Sequence, residues 1–346
     1  MIALLFQGAL TLGTVIGALT GWTREPRHPL VIAAAAAGPV ALPYGAVVAS
    51  LLVLTGSPVL AAANLLLAGA WRIGVAPRKP LIADMQDRET GMRVVGANLL
   101  CYNRRPQDAA QAIAGENAEV IITIETAPEM LDQLQRTMRE HRLEGIGTGD
   151  RGEMVALWVR RDIKSRPFQL RLNEATTLPG TVLEIDGQDL HIVGVHLFAP
   201  VSRSTAEVWQ QELEALRVWV VSQPRDFILI GDYNAALNHP GMRQLLDVST
   251  DAASSTGRPM LRTWPARGFR HGRGRCVPVF GLDHALLGGR IVATGLSTKL
   301  YPGADHLALH LGITTLSDGP AGAHASIHTN HVDDLLRADQ GREGDR

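Results

Sequence analysis

The chain has 346 residues, two cysteines and a formal net charge of −1. So balanced a charge excludes a bulk field that would select nucleic acid or a strongly acidic partner. Two cysteines exclude a disulfide framework and any cysteine-rich zinc site.

Charge is unevenly placed along the chain. Residues 1–75 carry only Arg24, Glu25, Arg27 and Arg72 as charged side chains. Ile2 to Trp22 is apolar over about the 20 residues that cross a bilayer. Pro29 to Leu54 is apolar again, with Pro39 and Pro43 placed to bend it, and Val59 to Trp71 follows a turn at Thr55-Gly56-Ser57-Pro58. The reading is three transmembrane helices over residues 1–75; the lack of a polar face argues against a helical bundle in water. With three spans, the Arg24/Arg27 loop and the Arg72, Arg78, Lys79 flank share one side. The positive-inside tendency places that side, and the main domain, in the cytoplasm. Residues 76–91 read as a linker.

Residues 92–315 are long enough for one large α/β core. Met92 to Ala97 reads as a strand ending at Asn98, and Pro106 to Ala114 as a helix with proline in its first turn. Ala118 to Ile124 is a second buried strand ending at Glu125, followed by a helix from Pro128 to Glu140. Two successive βα units imply neighbouring strands with helices covering one face. Met154 to Val159 and Thr181 to Ile185 continue as a meander, Asp186-Gly187 supplying a hairpin turn. Leu190 to Val195 is a strand ending at His196, and Ser204 to Val221 has the apolar spacing of a helix. Phe227 to Ile230 is uninterrupted and apolar, a strand buried on both faces. There Gly231 lets the chain turn sharply, so that Asp232 and Asn234 point off the sheet edge. Asp251 to Cys276 is a glycine- and arginine-rich loop, and the tail from residue 316 reads as disordered.

Asn98, Glu125, His196, Asp232, Asn234, Asp283, Asp305 and His306 all sit where apolar runs stop. One such residue is an ordinary loop start. Six strand ends each delivering an acid, an amide or an imidazole describe a ligand site. Hard carboxylates without cysteine ligands suit Mg²⁺ or Mn²⁺ better than zinc. Glu125 and Asp305 are candidate metal holders, and Asp232 is a candidate to orient or deprotonate a water. His196 and His306 are candidate donors to phosphoryl oxygens, with Asp283 holding such an imidazole protonated. The residues therefore point to metal-assisted phosphoryl hydrolysis.

The ordered set Asn98-Leu99, Ile124-Glu125-Thr126, Val195-His196-Leu197, Gly231-Asp232-Tyr233-Asn234, Gly281-Leu282-Asp283-His284 and Ala304-Asp305-His306 resembles the endonuclease/exonuclease/phosphatase superfamily. The resemblance implies a deoxyribonuclease-like four-layer α/β/β/α sandwich, here preceded by the membrane helices, with the site at one end between two sheets. It implies Glu125 as the main metal ligand with Asn98 and Asp305 nearby, and Asp232 as activator of the water. Asn234 would orient the phosphate or that water, His196 would contact the phosphate or leaving group, and His306, paired with Asp283, would bind the scissile phosphate. Leu100 departs from relatives that carry a second carboxylate there, which leaves one or two metal ions open. The apolar N-terminus, Thr263-Trp264-Pro265 and Pro302 to His306 together resemble bacterial membrane proteins of this superfamily, including teicoplanin-resistance proteins. That resemblance implies a catalytic domain outside the cytoplasmic membrane, against the charge reading, and it is the placement adopted. In an exported domain, Cys101 and Cys276 are candidates for a disulfide beside the site.

The expected function is a membrane-anchored, divalent-metal-dependent hydrolase of phosphate esters or pyrophosphates on a phosphorylated small molecule or lipid. The alternatives are a tethered nuclease and a catalytically silent module on the same fold. Arg258, Arg262, Arg267, Arg270, Arg273 and Arg275 are candidates for a phosphate-binding rim, and His324, His328 and His331 for a metal-binding tail.

Overall fold

A computed structural model describes residues 29–36, 41–54, 56–74, 91–149, 153–185, 187–222, 226–259, 261–267 and 276–316. The chain opens with α1 (Pro29–Ala36), α2 (Ala41–Leu54) and α3 (Pro58–Gly74). The first half of the main body follows as β1 (Met92–Asn98), α4 (Pro106–Ala114), β2 (Val120–Thr126), α5 (Pro128–Thr137), β3 (His141–Thr148) and β4 (Met154–Arg160). The second half comprises β5 (Ser165–Arg171), β6 (Thr177–Ile185), β7 (Gln188–His196), α6 (Arg203–Ser222), β8 (Phe227–Asp232), α7 (Pro240–Leu246), β9 (Thr250–Asp251), α8 (Ala252–Ser255) and β10 (Asp283–Gly288). The chain then returns to the first half as β11 (Ile291–Lys299) and β12 (Ala308–Thr315).

The apolar runs become strands because a segment without polar alternation has to bury both faces. All of them join one sheet ordered β11-β12-β1-β2-β4-β3-β6-β7-β8-β10-β9, with β5 on β6. The sheet curls until its halves face each other across Val94, Ile122, Leu157, Ile192, Ile230 and Leu311. Each such side chain removed from water contributes about 1.5–3 kcal/mol. On the outer face of one half, Ile113 of α4 and Met130 and Leu134 of α5 pack on Val95, Ile121 and Trp158. On the outer face of the other, Trp209, Leu213 and Met242 pack on Val193, Val195 and Leu229. The layers run helix, sheet, sheet, helix. The two halves are nevertheless continuous, joined where Thr148 pairs with Thr177. Gly147 permits that close passage, since a Cβ there would stand 2.1 Å from the Thr177 carbonyl oxygen.

The apolar N-terminal segment differs from the expected spans. Within Pro29 to Leu54 the described helices are α1 and α2, of 8 and 14 residues, and α3 has 17. Among the described residues no helix is long and apolar enough to cross a membrane. α1 docks on the main body instead: Ile32 is buried with Trp209, Met242 and Leu245, and its carbonyl accepts from His239 Nε2 at 3.0 Å. Ile2 to Trp22, most of the linker, Asp186, Arg270, Arg273, Arg275 and the histidine-bearing tail lie outside the described residues.

Candidate active site

Strand register brings the polar residues to one edge. In parallel β7 and β8, His196 lies beside Asp232, and in antiparallel β10, Asp283 lies opposite Asp232. Three neighbouring strands thus set an imidazole and two carboxylates in one row. Gly231 is not at a turn but inside β8, with φ 150°. A Cβ there would stand 2.1 Å from the Val195 carbonyl oxygen, so only glycine lets β8 lie this close to β7.

The facing half contributes Asn98 and Glu125. Between Thr123 and Thr126 the pairing of β2 with β4 slips by a bulge, and Glu125 sits in it with φ 52°. Bulges of this kind re-aim a side chain at a site. Leu100 (φ 65°) and Asn234 (φ 48°) are likewise left-handed. The only non-glycine residues with positive φ among the described residues therefore surround one site, where such strain is typically held.

Hydrogen bonds knit the halves together. Asn98 Nδ2 donates to Glu125 Oε1 at 2.8 Å and to Asp232 Oδ2 at 3.0 Å, while its Oδ1 accepts from Leu100 N. Asn98, expected beside the metal, is thus placed as a bridge between two carboxylates. Glu125 Oε2 accepts from Cys101 N at 3.1 Å. Asp232 Oδ1 accepts from Asn234 N at 2.8 Å, and the Asn234 amide donates to the Leu197 carbonyl. His306 Nδ1 lies 2.9 Å from Asp283 Oδ2, and its Nε2 lies 3.8 Å from Asp232 Oδ2. Thr263 Oγ1 accepts from the backbone N–H of Leu282 and of Asp283, so the Thr-Trp-Pro segment fixes the start of β10.

Burial and charge set the protonation states. Burial pushes the Asp232 carboxyl up to about 6, helped by Asp283 and opposed by His306, His196 and the Asn234 N–H. Burial alone would lower His306, but the Asp283 and Asp232 charges, the Asp283 hydrogen bond and Asp305 hold it up at about 10. His306 is therefore an imidazolium between two carboxylates at neutral pH.

Among the described residues three groups each bring their ligand atoms within 4.8 Å of one another: Glu125, His196 and Asp232; Asp232, Asp283 and His306; Cys101, Glu125 and Glu153. Each Glu125 oxygen takes one N–H, which leaves further lone pairs for a hard cation. Asp305 stands outside these groups: its Oδ2 accepts from Trp264 Nε1 at 3.1 Å, and its buried Oδ1 has no partner. An orphaned carboxylate oxygen and an unsaturated glutamate are the donors Mg²⁺ or Mn²⁺ takes, so the residues fit such an ion.

Glu153 escaped the sequence reading. Its Oε2 lies 3.9 Å from His196 Nε2, and the Cys101 thiol, pushed up to about 12 by burial and by Glu153, donates to it. Glu153 precedes β4, and β4 runs antiparallel to β2. The start of an antiparallel strand shares the edge reached by the ends of its parallel neighbours, so a search confined to run ends passes it by. Cys101 and Cys276 are both free thiols rather than a disulfide.

This combination of curled sheet and acid–amide–imidazole edge defines a phosphoesterase class. The sequence profile of the Endonuclease/Exonuclease/phosphatase family matches residues 95–318, and the chain belongs to that family. Among solved structures, D. rerio TDP2 complexed with a single-strand DNA product is 16% identical, covering 65% of this chain and 99% of that one, with a TM-score of 0.53. An endonuclease/exonuclease/phosphatase family protein from Leptotrichia buccalis is 16% identical over 65% of this chain and 100% of that one, with a TM-score of 0.50. A functionally unknown protein from Enterococcus faecalis is 12% identical over 65% and 100%, with a TM-score of 0.51. These likenesses establish the fold. No protein of curated function matches the chain.

Proposed function

We propose that the chain is a membrane-anchored, divalent-metal-dependent hydrolase of phosphate esters or pyrophosphates, with lipid-linked envelope phosphates as its substrate class. The observation that carries the chemistry is the row of His196, Asp232 and Asp283 facing Glu125, with His306 held protonated between its carboxylates. Mg²⁺ or Mn²⁺, held by Glu125 with Asn98 and Asp305 nearby, would neutralise charge on the phosphoryl oxygens.

The chain's own groups would do the rest. Asp232, ionised, takes a proton from the attacking water as the new P–O bond forms and the leaving-group oxygen departs. Asn98 and the Asn234 N–H hold that carboxylate in position. His306 donates to a phosphoryl oxygen as negative charge builds there, and His196, beside Glu153, contacts the phosphate or the leaving group. Asn234 orients the phosphate or the water.

Membrane placement is supported by the uncharged segment 41–71 and by its junction with the site. His239 links Ile32 to the loop carrying Asn234, because its Nδ1 accepts from Ala236 N at 2.9 Å. An apolar N-terminus docked beside that loop suits a substrate carried at lipid headgroups. Placement of the main body outside a bacterial-type cytoplasmic membrane rests on the sequence resemblance. A tethered nuclease is the second reading, favoured by the DNA product bound to the TDP2 neighbour.

Incubating the full chain with Mg²⁺ against a prenyl pyrophosphate, a generic phosphodiester and plasmid DNA, beside Asp232→Ala, separates the readings. Phosphate release from the lipid that is lost in the variant supports the proposal. Nicking of DNA alone selects the nuclease, and no turnover on any substrate leaves a silent module.

A further inference from the structure

The α2–α3 hairpin packs closely and exposes much apolar surface. Its helices approach through small residues: Gly45 lies so close to Ala68 that a Cβ would stand 2.3 Å from the Ala68 Cβ, and Ala68 is buried, as are Ala49 and Ala61 beside Val48 and Leu52. Other large apolar side chains point outward, among them Val47, Val53, Leu65 and Leu66, and above all Leu54 (81% exposed) and Val59 (80%) on either side of the turn. Small residues between helices with large apolar ones outside is the arrangement of helices packed in lipid, where the surroundings are as apolar as leucine.

Polar side chains of the hairpin are satisfied within it. Asn64 is fully buried, and its amide donates to the Leu60 carbonyl at 2.9 Å; Ser50, on the exposed face, donates its Oγ–H to Ala46 O at 2.9 Å. At the turn, Gly56 (φ 81°) donates to Val53 O and Ser57 N donates to Leu52 O, while Ser57 O accepts from Ala61 N. That closure satisfies the Leu52 and Val53 carbonyls near the end of α2 without water, as a tip immersed in hydrocarbon needs. Residues 41–71 contain no charged side chain, whereas Arg24, Arg27, Arg72, Arg78 and Lys79 flank the segment on both sides in the sequence. Basic residues bracketing an apolar segment suit anionic headgroups.

The helices of 14 and 17 residues are about 21 and 25 Å long, short of a hydrocarbon core of about 30 Å. We infer that α2 and α3 enter the bilayer tip first as a re-entrant hairpin, with Leu54 and Val59 in the acyl region and both hairpin ends on the side of the main body. The inference rests on the membrane placement proposed above and on no step of the chemistry.

The test reads topology without turnover. The full chain, with Cys101→Ser and Cys276→Ser, carries either Ser57→Cys or, as an orientation control, Val277→Cys, and is reconstituted in phosphatidylglycerol/phosphatidylcholine vesicles. An impermeant maleimide is supplied outside the vesicles, entrapped inside, or added after detergent. Where the Val277 position labels from outside, the Ser57 position is expected to be silent from both sides and to label fully in detergent. Adding Leu54→Glu and Val59→Glu should then expose it to the outside reagent. Labelling from the lumen would show a full crossing. Labelling from outside in the unaltered hairpin would show that it lies out of the bilayer and open to water. Either result overturns the inference, and neither bears on whether the chain hydrolyses phosphate.

Discussion

Trp264 donates its indole N–H to Asp305 Oδ2 at 3.1 Å, while Asp305 Oδ1 has no partner. One oxygen is oriented by protein and the other is left open, the usual arrangement when an outer group aims a ligand at a cation. Trp264→Phe keeps the ring near His306 and removes the donor. The Mg²⁺ concentration for half-maximal activity should rise by about tenfold, with a smaller effect at saturating metal. Titration of activity against Mg²⁺ reads this, and an unchanged midpoint would remove Asp305 from the metal site.

Asp232 must be ionised to accept a proton, and burial holds it at about 6. Turnover should therefore fall as pH drops through that region, and Asp232→Asn should lower it by about 10²–10⁴-fold. The same shift has an opposite consequence for stability. A carboxyl raised above its ordinary value contributes stability at low pH that is lost as pH rises between 3.8 and about 6. In chelator at pH 7.5, Asp232→Asn should melt at a higher temperature than the unaltered chain, which calorimetry would show.

His306 is held at about 10 against the cost of burial, chiefly by Asp283. Its charged form stabilises the fold below pH 6.5, and that contribution is lost as pH rises toward 10. Asp283→Asn should move the alkaline limb of the pH–rate profile to lower pH and flatten the alkaline loss of stability. A limb that stays in place would assign it to another group.

His239 has the reverse sign. Burial, with Arg243 and His284, brings it down to about 4 despite its bond to the Ile32 carbonyl. Stability from the neutral ring is full above pH 6.5 and is lost as pH falls toward 4, by about 3 kcal/mol in all. Urea unfolding at several pH values should show that slope in the unaltered chain and its absence in His239→Gln.

Gly231→Ala places a methyl against the Val195 carbonyl at 2.1 Å and at φ 150°. The two strands cannot separate without moving His196 from Asp232, so we expect a loss of about 2–4 kcal/mol. Both melting temperature and turnover should fall; an unchanged melting temperature would contradict the packing described.

The sequence displayed what hydrophobic pattern determines. β1, β2 and β8 are apolar on both faces, and α4 begins at Pro106 and stops before Gly115. β3, β5 and β11 were not visible, because each mixes charged, polar or glycine residues with half-buried positions and draws its pairing from distant strands. The site residues at strand ends were legible one by one, but their distances depend on register, which no local pattern fixes. Glu153 was hidden because it precedes an antiparallel strand rather than closing an apolar run. Apolar content led to an expectation of three spans, whereas the described helices there are of 8, 14 and 17 residues, and element length is what a hydropathy average over a window does not read.

Antiparallel pairing of Met92 with Ile313 has an engineering consequence. The polypeptide is threaded in and out of the main body through one doorway, at the opposite end of β1 from Asn98. A cargo fused behind Thr315 therefore emerges on the far rim from the mouth, where it neither shades incoming substrate nor tugs on the residues that line it.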